Sequence, residues 1–225
     1  MERLMISAAM GCAMIILCSA LATLALAAPA SNIAWTAETR QLVASGDSAR
    51  GQQLAAGCAS CHGAQGVSET PEYPHLAGQL ATYTYKQLRD YQDDTRAKSM
   101  MSALVANLSD QNMADLAAWY ASLPLPPPTG AIGKAESQAV TLVTQGDGKR
   151  LLPPCASCHG AQGEGAVVDV PALAGQSAPY LEATMHAYRT GQRANDIYAR
   201  MRRMAQVLSD QEISALARYY ANLGP

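Results

Sequence analysis

The sequence predicts an all-α fold made of two tandem copies of one small domain, and three observations predict it. Sliding the 225-residue chain by 97 positions, from 58 to 155, lays Gly63-Ala64-Gln65-Gly66 on Gly160-Ala161-Gln162-Gly163 and Leu76-Ala77-Gly78-Gln79 on Leu173-Ala174-Gly175-Gln176. Self-similarity at a fixed offset marks a duplicated unit. No run of β-branched residues alternates with period two, so strands are not expected. Helix starts, by contrast, are written twice: Leu108-Ser109-Asp110-Gln111 and Leu208-Ser209-Asp210-Gln211, the second completed as a capping box by Glu212.

Taken in order, the chain opens with Arg3 and then carries no charged residue until Glu38. The apolar run from Leu4 to Leu26 ends in small residues, so residues 1–28 read as a signal peptide. A run of that length also allows a retained membrane anchor, since about 20 apolar residues span a bilayer. Cys12 and Cys18 lie inside this segment, and the other four cysteines sit in the motifs described below, which leaves no thiol for a structural disulfide. The first domain is expected over 38–123, with one amphipathic helix from Leu80 to Asp93 and another capped by Ser109. The Pro-rich stretch from Pro124 begins a semi-rigid linker over 124–135, and the second domain fills 136–225.

The repeat continues through Pro74 with Pro171, Tyr83 with Tyr180, Tyr91 with Tyr188 and Arg96 with Arg193. Three extra residues then change the offset to 100, which pairs Leu116 with Leu216 and Tyr120 with Tyr220. One departure matters. Gly46 precedes Cys58 by twelve residues, but Gly146 precedes Cys155 by nine, with Pro153 and Pro154 in between. The first helix of the second domain is therefore expected to end early or to be displaced.

The pentapeptide Cys58-Ala59-Ser60-Cys61-His62 returns letter for letter as Cys155-Ala156-Ser157-Cys158-His159. C-x-x-C-H is the c-type haem attachment signature. Two thiols one helical turn apart reach the two vinyl groups of one porphyrin, and the next residue then lies under the ring with its imidazole toward the iron. A zinc site of two C-x-x-C pairs wants them about 15 to 20 residues apart, and a redox dithiol wants a βαβ context. Neither pattern is present. The reading is two covalently bound haem c groups, on Cys58 and Cys61 and on Cys155 and Cys158, with His62 and His159 as iron ligands. Domains under about 100 residues bury modest cores, and a porphyrin would supply missing apolar contact. The chain has no Phe, which fits a core completed in this way.

An iron held by one histidine either takes a second axial ligand or keeps an open position. The candidates are Met100, Met101, Met113, Met185, Met201 and Met204, with His75 and His186. Counting back seven residues from the Leu before each capping Ser gives Met in both copies, Met101 and Met201. Met100 falls opposite Arg200, Met204 opposite Leu104, His75 opposite Ala172 and His186 opposite Arg89. Met101 is thus the expected second ligand of the first iron and Met201 that of the second. His/Met ligation fills the coordination sphere and raises the potential, so such a haem carries electrons instead of binding small molecules.

The paired Cys-x-x-Cys-His-Gly motifs, the Pro-x-Leu-Ala-Gly-Gln segments, the late Met and the Leu-Ser-Asp-Gln helix starts together resemble the dihaem cytochromes c4, over roughly Gly46 to Leu223. The resemblance implies two class I cytochrome c folds packed face to face in an exported, periplasmic electron carrier that is not itself an enzyme. It also supports Met101 and Met201. In proteins of this type the Pro of Pro-x-Leu lends its carbonyl to the proximal imidazole, which would pair Pro74 with His62 and Pro171 with His159. Such a hydrogen bond fixes the tautomer and strengthens donation to iron.

Formal net charge is −2, which argues against a nucleic-acid-binding surface. Residues 38–123 hold six Lys or Arg against nine Asp or Glu, while 124–225 hold nine against eight. An acidic first domain and a more basic second one are expected to dock different redox partners. The cluster Arg200, Arg202 and Arg203 beside Met201 reads either as a solvated face or as part of that docking. The expected donor is a quinol-oxidising complex or a dehydrogenase, and the expected acceptor a terminal oxidase. Membrane association is expected only through a retained N-terminal segment or membrane-bound partners. The alternative is a cytochrome subunit of a dehydrogenase, such as flavocytochrome sulfide dehydrogenase or alcohol dehydrogenase. A dihaem peroxidase would need an exchangeable iron position, which two matched methionines oppose.

Overall fold

The computed structural model describes residues 30–96, 99–130, 133, 137–166 and 168–224. The segment read as a signal peptide lies outside them, as does most of the end of the linker. The first half contains α1 (Ala37–Ala44), α2 (Ser48–Ala55), α3 (Ala59–His62), α4 (Ala81–Gln92), α5 (Met100–Val105) and α6 (Asp110–Ser122). The second contains α7 (Ser137–Thr144), α8 (Ala156–His159), α9 (Ala178–Thr190), α10 (Arg200–Val207) and α11 (Asp210–Ala221). Among the described residues the only β pairing is two isolated bridges, Asp147 with Leu152 and Ala166 with Val170.

The helices begin where the capping chemistry says they should. The Ser109 hydroxyl accepts the Asn112 N–H at the start of α6, and Ser209 with Glu212 closes a reciprocal capping box on α11. The helix expected from Leu80 to Asp93 runs over Ala81–Gln92. The second domain's first helix is displaced and does not end early: α7 closes at Thr144, three residues nearer its Cys-x-x-Cys-His motif than α1, which closes at Ala44. That helix, α7, has eight residues, the same length as α1. The element cut short is the next one: where the first half has α2, the second has a single 3-10 turn, Gly148–Arg150. Pro153 and Pro154 provide no N–H donors and disfavour helix before Cys155, so only one turn fits.

The two halves anchor these unlike segments differently. α2 lies so close to α6 that a Cβ on Gly51 would meet the Asp115 carbonyl oxygen at 2.0 Å. Asp115, fully buried, accepts the Asp47 N–H at 2.8 Å and pairs with Arg50 at 3.3 Å. In the second half Arg150 bridges Asp147 and the Glu212 carboxylate, both at 2.8 Å. Behind each segment is a compact core: Val43, Tyr85, Met113, Ala114 and Ala117 in the first half, and Leu142, Val143, Leu181, Ile213 and Leu216 among others in the second.

The halves meet across a polar interface with approximate two-fold symmetry. The Gln79 amide brackets Ala172, donating to its carbonyl at 3.0 Å and accepting its N–H at 2.9 Å. Gln176 does the same to His75, with both bonds at 2.9 Å. Arg96 donates to the Tyr180 hydroxyl at 3.1 Å, and Arg193 donates to that of Tyr83 at 2.8 Å. The linker follows this seam, and it runs so close to Gly175 that a Cβ there would meet the Pro126 carbonyl oxygen at 2.3 Å.

Candidate functional site

Each Cys-x-x-Cys-His motif forms a single helical turn, α3 or α8, that ends at a glycine in the left-handed region, Gly63 (φ 77°) or Gly160 (φ 83°). The reversal at that glycine starts a loop whose next glycine gathers the Leu-Ala segment. The Gly66 carbonyl accepts the N–H groups of Leu76 and Ala77, at 2.7 and 3.0 Å. Gly163 does so for Leu173 and Ala174, at 2.7 and 3.2 Å. The third glycine of the pattern donates its N–H to the C-terminal helix, Gly78 to Tyr120 O at 2.8 Å and Gly175 to Tyr220 O at 2.9 Å. These bonds carry the Pro carbonyls to the histidines. His62 Nδ1 lies 3.0 Å from Pro74 O, and His159 Nδ1 lies 3.0 Å from Pro171 O.

A carbonyl only accepts, so Nδ1 carries the proton in both rings and Nε2 keeps its lone pair. Burial pushes the pKa of both imidazoles below the usual histidine range, against the pull of the Pro carbonyl, and the charge of Arg200 adds to the effect on His159. The result is a pair of neutral imidazoles ready to donate to a metal. Burial also raises the Cys58 thiol and pushes that of Cys155 up to about 11. Thiols held protonated in this way are poorly poised as a redox pair, which would need a lowered pKa.

Both motifs line one cavity of about 900 Å³ that runs across the interface. Its wall includes Cys58, Cys61, His62, Pro74 and Met101 from the first half, and Cys155, Cys158, His159, Pro171 and Met201 from the second. Tyr120 and Tyr220, at equivalent positions, have buried hydroxyls without a hydrogen-bond partner of good geometry among the described residues. Paired thiols, a neutral imidazole and unsatisfied hydroxyls around an extended cavity fit a covalently held porphyrin in each half.

The other candidate ligands are distributed unequally. Met113 is fully buried in the first core and does not line the cavity, and Met100 is 65% exposed. In the second half Met185, Met201 and Met204 all line the cavity, so position in the repeat, not location, separates them. His75 lines the cavity, but its Nδ1 accepts the Ser68 N–H at 3.0 Å, and His186 lies on α9 beside Glu182. The sequence reading missed Gln79 and Gln176 as the clasp between the halves. Their recurrence in both Leu-Ala-Gly-Gln segments was the available signal.

Comparison with known proteins places this arrangement in context. The family described as Cytochrome c matches residues 48–124 and again residues 146–224. The chain is 40% identical over 171 residues to a thiosulfate dehydrogenase electron acceptor of Stutzerimonas stutzeri, covering 74% of this chain and 79% of the relative. It is 39% identical over 189 residues to cytochrome c4 of Pseudomonas aeruginosa, covering 80% and 90%. The crystal structure of reduced recombinant cytochrome c4 from Pseudomonas stutzeri superimposes with a TM-score of 0.73 at 33% identity, covering 80% of this chain and all of that one.

Proposed function

This chain belongs to the cytochrome c family, among its dihaem c4 members, and is an electron carrier with two covalently bound haem c groups; from that premise we propose its ligands, its route and its partners. The iron of each haem supplies reversible one-electron chemistry. Cys58, Cys61, Cys155 and Cys158 tether the groups. His62 and His159 would hold the irons through Nε2, and Met101 and Met201 would supply the second protein ligand of each. Pro74 and Pro171 hold each imidazole in the tautomer that leaves Nε2 basic. A soft thioether suits the reduced iron, so little coordination change accompanies electron transfer.

The single observation that carries this reading is the equivalence of the two sites: the same imidazole-to-carbonyl bond at 3.0 Å in both halves, opening into one cavity. Haems held by the two motifs would therefore face one shared interior, which would favour passage of an electron from one half to the other within the protein. We propose that the chain is exported to the periplasm, that its donor is a quinol-oxidising complex or a dehydrogenase and that its acceptor is a terminal oxidase. No helix among the described residues is long and apolar enough to cross a membrane.

A second reading has specific support. The relative named as a thiosulfate dehydrogenase electron acceptor favours a dehydrogenase donor, with this chain as its dedicated acceptor or subunit. Purification distinguishes the two: a free carrier emerges alone, a subunit in stable stoichiometric complex. The test of the core reading is a redox titration followed by absorbance on protein whose haem content has been counted. Two haems with a sulfur-to-iron charge-transfer band in the oxidised state are expected. A resting iron that captures carbon monoxide in wild-type protein would overturn the ligand assignment.

A further inference from the structure

We propose that the outward face of α10, together with the turn at Gly148–Leu151, docks an acidic redox protein, and that the equivalent face of the first half does not. The proposal rests on the carrier reading and names the chemistry of one partner. Met201 lines the cavity, Arg200 sits at its edge with an exposed side chain, and Arg203 and Val207 continue from Arg200 along one exposed helical stripe that leads away from it. Arg150 donates to the Val207 carbonyl at 2.9 Å, which brings the 3-10 turn against the C-terminal end of α10 and adds exposed Lys149 and Leu151 to the patch.

Two features mark this patch, the first of which Tyr198, 81% exposed at φ 58° just before α10, shares. Leu151 is 85% exposed and sits in the left-handed region, φ 54° and ψ 35°. A non-glycine residue adopts that conformation only at a cost, and an exposed side chain returns little of it within the chain. Strain spent on presenting an apolar group to solvent points to a contact made elsewhere. The second feature is charge. Arg200 pairs with Asp169, Arg202 with Asp196, and Arg150 with Asp147 and Glu212, but Arg203 and Lys149 have no ion pair among the described residues. The patch therefore offers an apolar centre with two uncompensated cations, which complements a partner of the opposite sign.

The repeat supplies the control. With the offset of 100, Arg200 and Arg203 correspond to Met100 and Ala103, and Met204 and Val207 to Leu104 and Asn107. α5 carries no charged residue, and Met100 and Leu104 are 65% and 58% exposed. The same face is thus basic in one half and uncharged, mostly apolar, in the other.

The test uses the whole dihaem protein, reduced, with plastocyanin as an acidic blue-copper probe; one electron passes from iron(II) to copper(II). The second-order rate is measured by stopped flow from low salt to about 0.5 M, where the Debye length shrinks to a few ångströms. Arg203→Glu with Lys149→Glu should slow the low-salt reaction at least about tenfold and match wild type at high salt. Leu151→Gly, which removes the left-handed strain, should fold at least as well yet react several-fold more slowly at every salt concentration. Ala103→Glu on the first half should change the rate less than about twofold. If the reversal variant does not fold, Arg203→Ala and Lys149→Ala carry the same test at smaller amplitude. Equal low-salt rates for wild type and charge variants, or equal slowing by Ala103→Glu, overturn the docking face alone. Wild-type protein that bears both haems yet reduces neither plastocyanin nor ferricyanide overturns the carrier reading, and the docking face with it.

Discussion

At position 86 the first half buries a lysine, and at the equivalent position 183 the second half has an alanine; four residues on, Asp90 faces Ala187. Most of the interface is reciprocal, as the Gln79 and Gln176 clasps and the crossed Arg and Tyr pairs show. Here it is not. The Lys86 ammonium donates to Asp90 at 2.5 Å and to the Asn195 carbonyl at 2.7 Å, and Asp90 also accepts from Asn195 Nδ2 at 2.6 Å. The lesson is that the duplicated interface stays symmetric where each half must hold the other's Pro-Leu segment. It diverges where one half alone supplies the ion pair and the other only backbone and amide groups to satisfy it.

The strongest way to break that comparison is Lys86→Met, which leaves the Asp90 carboxylate buried and without its cation. A buried pair broken on one side costs about 3–5 kcal/mol, so the denaturant midpoint should fall accordingly. Lys86→Met combined with Asp90→Leu should recover much of the loss, because removing both charges avoids the orphan. A midpoint unmoved by Lys86→Met would mean that solvent reaches the pair. Next in size are Met101→Ala and Met201→Ala. Each should lower the potential of its own half by more than about 0.1 V, within the roughly 0.8 V span set by axial ligands, abolish that half's charge-transfer band and admit carbon monoxide. A spectrum unchanged in Met201→Ala would move the assignment to Met185 or Met204, which share the cavity wall. Gln79→Ala and Gln176→Ala should each cost about 1–3 kcal/mol through the unpaired backbone groups left behind, measured by the same unfolding experiment. Near-equal losses are expected, and a clear inequality would show that the two-fold symmetry of the clasp is geometric but not energetic.

Much of this was legible in the residues because it rests on local chemistry. The Cys-x-x-Cys-His turns, the Ser209 capping box and the helix at Ala81–Gln92 are each determined within a few positions of one another. The clasp was not, since Gln79 and Gln176 make their bonds across 93 and 101 residues of chain. Charge counting, for its part, does not say where the charges sit. The first half has an excess of acids, but Asp90 and Asp115 are buried, and Asp93 and Asp110 both pair with Arg89. The exposed face of α5 beside Met101 carries no charge, so the acidic excess of the first half lies on other parts of it. The prolines before Cys155 do signal a conflict in the shortened second domain. Yet α7 is already closed by Gly146, at φ 71°, before they act, and the loss falls on the following element.

That shortened element leads to the smallest prediction, which depends on pH. Glu212 closes the α11 capping box and accepts from Arg150 at 2.8 and 2.9 Å. Its hydrogen bonds to Arg150, and then those to Ser209, hold its pKa below the usual glutamate range although burial opposes them. A carboxyl whose folded pKa is depressed contributes stability in full above its unfolded value near 4.5, and the contribution disappears as pH falls through the lowered folded value. Glu212→Gln should therefore cost about 1–2 kcal/mol at pH 7 and progressively less below pH 4.5, the wild type converging on the variant in acid. In the first half the corresponding residue is Asn112, which cannot titrate, and Asn112→Ala should cost a similar or smaller amount that does not change with pH. Parallel pH profiles for the two variants would show that Arg150 anchors its turn through Asp147 alone. Divergence confined to the acid side would show that the second half replaced a lost helix with a charge pair and inherited its pH dependence.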